Sequence, residues 1–381
     1  MAKVLKAGIL GGGQLGKMLL QQAANYPVET FVLEDDPDCP AAHLCHHFIK
    51  GDIQNFDDVY NFGRALDVLT IEIEAVNIEA LEKLENEGVK VYPSATALRI
   101  IKNKILQKQF YKTSEIPSAE FKVVSNRQDL ENYSSFFPAV NKLAEGGYDG
   151  KGVQIIRTAA DISKGFDAPG VLEKMVEIQK EIAVIVAVDD KKGIVIFPPV
   201  EMVFDGHLNL LDYQFSPAEI PEKTLWRIEA IAIKVGKSLN SPGLFAVELF
   251  IDTKGDVFVN ETAPRVHNSG HHTIEANYSS QYDMLWRILL GYPLGNTASI
   301  LSSSLVNLIG EEGHTGEVHY EGIEEVLKLE NTFIHLYGKK QTKPGRKMGH
   351  VTLLGKDRYD LVRNALEVKR LLKVISKPIL G

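Results

Sequence analysis

Ala246-Val247-Glu248-Leu249-Phe250-Ile251-Asp252-Thr253-Lys254-Gly255-Asp256-Val257-Phe258-Val259-Asn260-Glu261 reads as two short apolar strands joined at a tight turn. Aliphatic and aromatic residues recur on both sides of Thr253-Lys254-Gly255, the pattern of an antiparallel hairpin. With Lys254-Gly255 as a two-residue loop, Thr253 faces Asp256 and Glu248 faces Glu261. Opposed residues share one face of a sheet, with Cβ atoms about 4.5–5.5 Å apart. Two carboxylates so placed beside Val247, Leu249, Ile251 and Phe258 repel each other where solvation is poor. Either one takes up a proton or a cation sits between them. Hard oxygen ligands beside phosphates favour Mg²⁺ over a transition metal. The competing reading is a slipped register that leaves one glutamate in solvent.

Directly after this pair come Arg265, His267, Asn268, His271 and His272, within Thr262-Ala263-Pro264-Arg265-Val266-His267-Asn268-Ser269-Gly270-His271-His272. A guanidinium, an amide and imidazoles beside a cation suit a polar, anionic substrate. The histidines lack the spacing of a helical zinc motif, and so does the group Cys39, His43, Cys45, His46 and His47. Upstream, Gly146-Gly147-Tyr148-Asp149-Gly150-Lys151-Gly152 joins two predicted strands. It reads as a flap over phosphates, with backbone N–H groups and a lysine meeting negative charge, or as a plain glycine-rich hairpin. Lys142, on the strand before it, reaches toward the same phosphates. Downstream, Lys339, Lys340, Arg346 and Lys347 make the tail a candidate phosphate clamp or a solvated basic loop.

At the N-terminus an apolar run, Val4 to Leu10, meets Gly11-Gly12-Gly13-Gln14-Leu15-Gly16, then a helical pattern from Gln14 to Ala24. Glycines at a helix N-terminus admit an anion, and Glu34 near the end of the next strand is placed for a ribose. Alone, this fits an NAD-dependent dehydrogenase or a ligand-free tight turn. Strands at Glu29 to Leu33 and Val68 to Ile73, alternating with helices, predict a doubly wound parallel sheet. A helix is expected over Ala97 to Thr113, another over Leu225 to Leu239, and a final one over Asp357 to Val374.

The chain has 381 residues, 44% hydrophobic and 24% charged, which predicts two or three domains with real cores. A net charge of −8 argues against a nucleic-acid binder. No stretch has the length of a membrane span or the form of a signal peptide, and two cysteines exclude a disulfide framework. A cytoplasmic enzyme is the expectation.

Four motifs then fall in order: Gly-Gly-Gln-Leu-Gly-Lys-Met (12–18), Gly-Gly-Tyr-Asp-Gly-Lys-Gly (146–152), Asn-Glu-Thr-Ala-Pro-Arg-Val-His-Asn-Ser-Gly-His (260–271) and Pro-Gly-Arg-Lys-Met-Gly-His (344–350). Together they resemble the 5-(carboxyamino)imidazole ribonucleotide synthases, ATP-grasp ligases, over nearly the whole chain. The resemblance implies a mixed α/β ATP-grasp fold. It divides into a pre-ATP-grasp domain (1–98), a linker helix with a small lid (99–176) and a C-terminal ATP-grasp domain (177–381). It implies ATP and Mg²⁺, with Mn²⁺ as the alternative ion, and a homodimer. Lys104 and Lys142 would contact phosphates beneath a cover of Gly147, Tyr148, Asp149, Gly150, Lys151 and Gly152. Glu173, Lys174, Met175 and Val176 would be the adenine hinge, and Glu181 would hold the ribose. Glu248 and Glu261 would bind the metal, with Asn260 close by. The ribonucleotide would meet Gln14, Leu15, Glu74, Asn77, Asp149, Arg265, His267, Asn268, Lys339 and Arg346. The implied reaction joins bicarbonate to the amine of 5-aminoimidazole ribonucleotide as ATP becomes ADP and phosphate. Asp149 and His267 would position that amine or move its proton. Lys17, Glu145, Val153 and Met202 depart from the residues usual in relatives.

Overall fold

A computed structural model describes residues 4–147, 152–204 and 211–377. Its first sheet has five parallel strands in the order His47–Lys50, Val28–Glu34, Leu5–Leu10, Val68–Ile71, Lys90–Val91. Full burial of Val68–Ile71 and of the last four residues of Leu5–Leu10 suits strands covered by helices on both faces. The chain builds one side of the sheet from Leu5–Leu10, then crosses to build the other from Val68–Ile71. Such a reversal opens a crevice at the carboxyl ends of these two strands. The glycine loop leaves the first strand there, and Glu72 and Glu74 leave the second.

A four-stranded antiparallel sheet follows, ordered Phe121–Val124, Gly170–Lys174, Ala139–Leu143, Val153–Ile156. The largest sheet runs Val257–Ala263, Gly243–Asp252, Ile178–Val188, Val200–Phe204, Leu211–Ser216, Ser302–Ile309, Lys347–Gly355, Thr332–Leu336, with Ile194–Ile196 also on Ile178–Val188. Helix Glu222–Leu239 packs Ile228, Ala232 and Val235 against Val184, Val186, Val247 and Leu249. Because strand side chains alternate between faces, Glu181, Ala183 and Glu248 face the other side. A short sheet of Gln341–Thr342, Gly316–Glu321 and Lys373–Ser376 completes the tail.

Several sequence expectations are corrected. The helix expected over Ala97 to Thr113 is two, Ala95–Lys102 and Lys104–Thr113. Asn103 is extended (φ −105°, ψ 115°), and its side chain accepts from the N–H groups of Ile105 and Leu106, so it starts a new helix rather than continuing the old one. The final helix stops at Leu371, and Lys373–Ser376 becomes a strand paired with Gly316–Glu321. Val68–Ile71 ends two residues early, releasing Glu72 and Glu74 into the crevice.

Candidate active site

The hairpin that carries Glu248 and Glu261 departs twice from its expected form. Its loop has three residues: Asp252 N–H donates to Asp256 O, and Gly255, at φ +82°, takes the left-handed position that closes such a loop. Thr253 therefore does not face Asp256. A one-residue bulge follows, since Leu249 pairs with Val259 while Glu248 pairs with Glu261. The extra residue is Asn260. The two departures cancel, so Glu248 still faces Glu261, and the bulge turns Asn260 toward the same side as Glu261.

Lysines meet this side from the neighbouring elements. Lys104, at the start of helix Lys104–Thr113, pairs with Glu261, and its backbone N–H donates to Ala144 O at 2.8 Å. Lys142 Nζ donates to Asn260 Oδ1 at 2.9 Å and lies 3.1 Å from Glu173 Oε1. Glu173 Oε2 lies 2.9 Å from Lys108 Nζ. Lys104 and Lys108 lie four residues apart, on one face of their helix. Three ammonium groups and the carboxylates of Glu173 and Glu261 thus form one continuous charge cluster.

Burial dominates its electrostatics. Burial, then Glu261 and Glu181, push the Glu248 carboxyl well above the usual range. Lys104 first, against burial, holds Glu261 well below it. Burial pushes Glu181 up to about 7, with Lys142 partly opposing, and brings Lys108 down to about 8 despite Glu173. Burial would raise Glu173, but Lys142 and Lys108 outweigh it and leave the carboxyl below its ordinary value. A carboxyl whose proton is favoured by burial, facing one that Lys104 keeps ionised beside an amide oxygen, is a donor set that fits a hard divalent cation. Among the described residues no three His, Cys, Asp or Glu side chains gather for a metal.

The crevice of the first sheet lies beside this cluster. Glu72 Oε1 accepts from Gly13 N–H and Oε2 from Gly16 N–H, each at 2.6 Å, and Glu34 accepts from Gly12 N–H at 2.9 Å. Internal carboxylates so occupy the N–H groups that a dinucleotide's pyrophosphate would need. The dehydrogenase reading of this loop is thereby set aside. Gln14 and Leu15 are the first two residues of helix Gln14–Ala23, where backbone N–H groups have no partner within the helix. The Leu15 side chain is buried in the core, so Leu15 offers only its backbone. Glu72→Gln places an NH₂ group where an acceptor is needed. It is expected to cost about 1–3 kcal/mol in chemical denaturation.

Arg265 reaches back across the crevice, with Nε 2.9 Å from Glu74 Oε1. Its buried guanidinium stays charged: burial opposes, but Glu74 and Glu72 outweigh it. His267 Nε2 lies 3.6 Å from Glu248 Oε1, and its Nδ1 lies 2.9 Å from Ser269 Oγ. Asn268 Nδ2 is buried and, among the described residues, has no hydrogen-bond partner. Lys339 Nζ donates to Lys347 O at 2.9 Å, and its charge is felt at Glu72.

Other predicted residues sit less directly. Asn77 caps helix Ile78–Asn86 through Oδ1 and donates to Gln54 O through Nδ2, so both halves of its amide serve the fold. Arg346 gives one N–H to Gln341 O within the tail turn. Lys174 turns its ammonium to Phe136 O at 2.8 Å, and Met175 N–H to Pro138 O, while Glu173 points inward. The Val176 end of the hinge is half-buried. Gly147 is exposed, and Gly152 O accepts from Leu143 N–H. Tyr148, Asp149, Gly150 and Lys151 lie outside the described residues. Of the departures from the family pattern, Lys17 Nζ donates to Leu336 O and Glu145 accepts from Asn103. Val153 is exposed, and Met202 is buried opposite Glu181. His46 and His47 are engaged separately, by Thr30 and Glu29.

Lys108, Glu72 and Gln281 join the site without having been singled out from the sequence. The first had a signal, its four-residue spacing from Lys104. Glu72 had another, its alternation with Glu74 at a strand end. Gln281 had none.

Residues 1–102 match the ribonucleotide synthetase preATP-grasp domain, 109–282 the ATP-grasp domain, and 303–364 the phosphoribosylaminoimidazole carboxylase C-terminal domain. The chain is 34% identical over 380 residues to the N5-carboxyaminoimidazole ribonucleotide synthase of Aquifex aeolicus, covering 97% of this chain and 98% of that one. It is 35% identical to the chloroplastic phosphoribosylaminoimidazole carboxylase of Vigna aconitifolia, covering 91% of this chain but only 64% of the plant protein. The crystal structure of N5-carboxyaminoimidazole ribonucleotide synthetase from Thermotoga maritima superposes with TM-score 0.91 at 38% identity, covering 98% of this chain and 100% of that one. That of the Aspergillus clavatus synthase in complex with ADP and 5-aminoimidazole ribonucleotide superposes with TM-score 0.89 at 29% identity, covering 97% and 99%. No helix among the described residues is long and apolar enough to cross a membrane.

Proposed function

The chain belongs to the N5-carboxyaminoimidazole ribonucleotide synthase family, and we propose that it carboxylates 5-aminoimidazole ribonucleotide with bicarbonate, converting ATP to ADP and phosphate in purine biosynthesis. The observation that carries this reading is one continuous site. The Glu248/Glu261 pair with its lysines meets, through Arg265 and His267, the crevice of the first sheet. A phosphate donor at one end and an amine-bearing ribonucleotide at the other then share a boundary.

Bicarbonate is a poor electrophile, because its carbon is electron-rich and hydroxide would have to leave. A bicarbonate oxygen attacks the γ-phosphorus, the bond to ADP breaks, and carboxyphosphate forms. The amine nitrogen then attacks its carbon, or carbon dioxide released from it. Phosphate departs with the bicarbonate oxygen, and the amine proton leaves to a base. Lys104 and Lys142 hold the phosphates. Lys104 now pairs with Glu261, and Lys142 with Asn260 and Glu173; nucleotide binding would free Glu261 and Asn260. Glu248 and Glu261, with Asn260 beside them, would hold Mg²⁺ or Mn²⁺, which would neutralise charge on the transferred group. Arg265, Asn268, Lys339 and Arg346 take the ribonucleotide, with the Gln14 and Leu15 backbone. His267 and Asp149 position the amine or move its proton.

We divide the chain at 98 and 176. This is supported by the sheets, each of which falls within one of the three segments 1–98, 99–176 and 177–381. The family resemblance carries the expectation of a cytoplasmic homodimer, which sedimentation would test. ADP release with Mg²⁺-ATP and bicarbonate, with and without 5-aminoimidazole ribonucleotide, tests the function. Strong stimulation by the ribonucleotide is expected. Equal rates with and without it would reject the substrate assignment.

A further inference from the structure

Gln281 is completely buried, the first residue of helix Gln281–Leu290, and lies outside all four motifs above. Its amide holds both backbone polar groups of a single residue. Oε1 accepts from His267 N–H at 2.8 Å, and Nε2 donates to His267 O at 2.8 Å. A side-chain amide here does what a neighbouring strand does, pairing with the N–H and the C=O of one extended residue (φ −134°, ψ 155°). The two bonds also fix which way the amide points.

The surroundings hold the amide as firmly as it holds His267. Gln281 N–H donates to Thr273 Oγ1 at 2.9 Å, and that hydroxyl donates to Gly270 O at 2.6 Å. Nε2 lies 3.1 Å from His271 Nδ1, which also lies 2.9 Å from Tyr282 OH. A Cβ on Gly270 would stand 2.5 Å from Oε1, so the loop 267–270 is shaped around this amide. The helix itself is anchored in the core: Trp286 Nε1 donates to Leu19 O at 2.7 Å, on the helix that presents Gln14 and Leu15. The His267 ring then extends from this fixed backbone, with Nδ1 by Ser269 Oγ and Nε2 toward Glu248.

We propose that Gln281 is a positioning residue that sets the His267 imidazole between Glu248 and the ribonucleotide crevice. It acts through the His267 backbone and touches no substrate. The proposal rests on reading His267 as a substrate-facing group. Its test is a double-mutant cycle on ribonucleotide-stimulated ADP release. Gln281→Met keeps length and removes both bonds. It is expected to lower kcat about 10–100-fold, the order of loss seen when a partner that orients a metal-ligating side chain is removed, with KM for ATP changed by no more than about twofold. The double variant with His267→Ala is expected to be no slower than His267→Ala alone. Gln281→Glu keeps the acceptor for His267 N–H and is expected to fall between wild type and Gln281→Met. It carries the same cycle should the methionine variant not fold.

Multiplying losses in the double variant would overturn the proposal, as would wild-type kcat in Gln281→Met. Full activity of His267→Ala would also overturn it, while the ribonucleotide stimulation of the wild-type protein would still stand by itself.

Discussion

Glu248→Gln is expected to lose ribonucleotide-stimulated ADP release almost completely while unfolding at close to the wild-type denaturant concentration. The separation of the two effects follows from the charge state. With no cation beside it, the Glu248 carboxyl is pushed up by burial and by its neighbours Glu261 and Glu181. The resting protein therefore holds it protonated, and glutamine is nearly isosteric with that form. On the proposed function the working site needs the carboxylate, because a cation held there would have to be matched by anionic oxygen. Losing charge stabilisation worth several kcal/mol in the transition state is on the order of a thousandfold in rate. Glu261→Gln should lose activity to a similar extent but also destabilise the fold, because the half-buried Lys104 ammonium loses its paired carboxylate. Equal stability losses in the two variants would contradict this difference between the paired glutamates.

Glu173→Leu is expected to be the most destabilising single change in the site. Its carboxylate lies between Lys108 and Lys142, with side-chain exposure of 5% against 2% and 11% for the lysines. Removing the anion strands two buried ammonium groups, and breaking one buried pair already costs about 3–5 kcal/mol. The pH dependence has a definite sign. The Glu173 carboxyl is held below its ordinary value in the folded chain, since the two lysines outweigh burial. Its contribution is fully present above the unfolded carboxylate pKa of about 4.3 and is lost as pH falls through the lowered folded value. The gap between wild type and Glu173→Leu in urea unfolding should therefore narrow in acid. A gap that widened in acid would exclude this account of the cluster. KM for ATP should rise as well, since Lys142 loses the partner that orients it.

Much of this site was legible because its chemistry is concentrated in short motifs. Glu248 and Glu261 stand in a hairpin whose alternation is plain. The expected loop was one residue too short, yet the facing pair survived because the Asn260 bulge restored the register. No periodicity predicts that bulge, and it is the bulge that turns Asn260 toward Lys142. The break at Asn103 was visible in principle, since asparagine is a strong helix start, but apolar residues on both sides continue the helical pattern. The tail was the least legible part. Strands Ser302–Ile309 and Lys347–Gly355 bury Ser303, Asn307, His350 and Thr352, polar residues that defeat the apolar alternation by which strands are read. Of these, His350 stacks on His271 of the histidine-rich loop at 4.8 Å. Lys108 reads as a solvated helix lysine until the fold sets Glu173 beside it. Gln281 is legible only once its partner's backbone is seen.

The central claim, that bicarbonate is activated by γ-phosphoryl transfer and then delivered to the ribonucleotide amine, is tested most directly with ¹⁸O-labelled bicarbonate. The purified protein would turn over Mg²⁺-ATP and 5-aminoimidazole ribonucleotide in unlabelled water, and the inorganic phosphate would be analysed by mass. Phosphate carrying one bicarbonate oxygen, formed in step with ADP and carboxylated ribonucleotide, is the predicted result. Unlabelled phosphate would mean that water took the phosphoryl group, and would contradict the account.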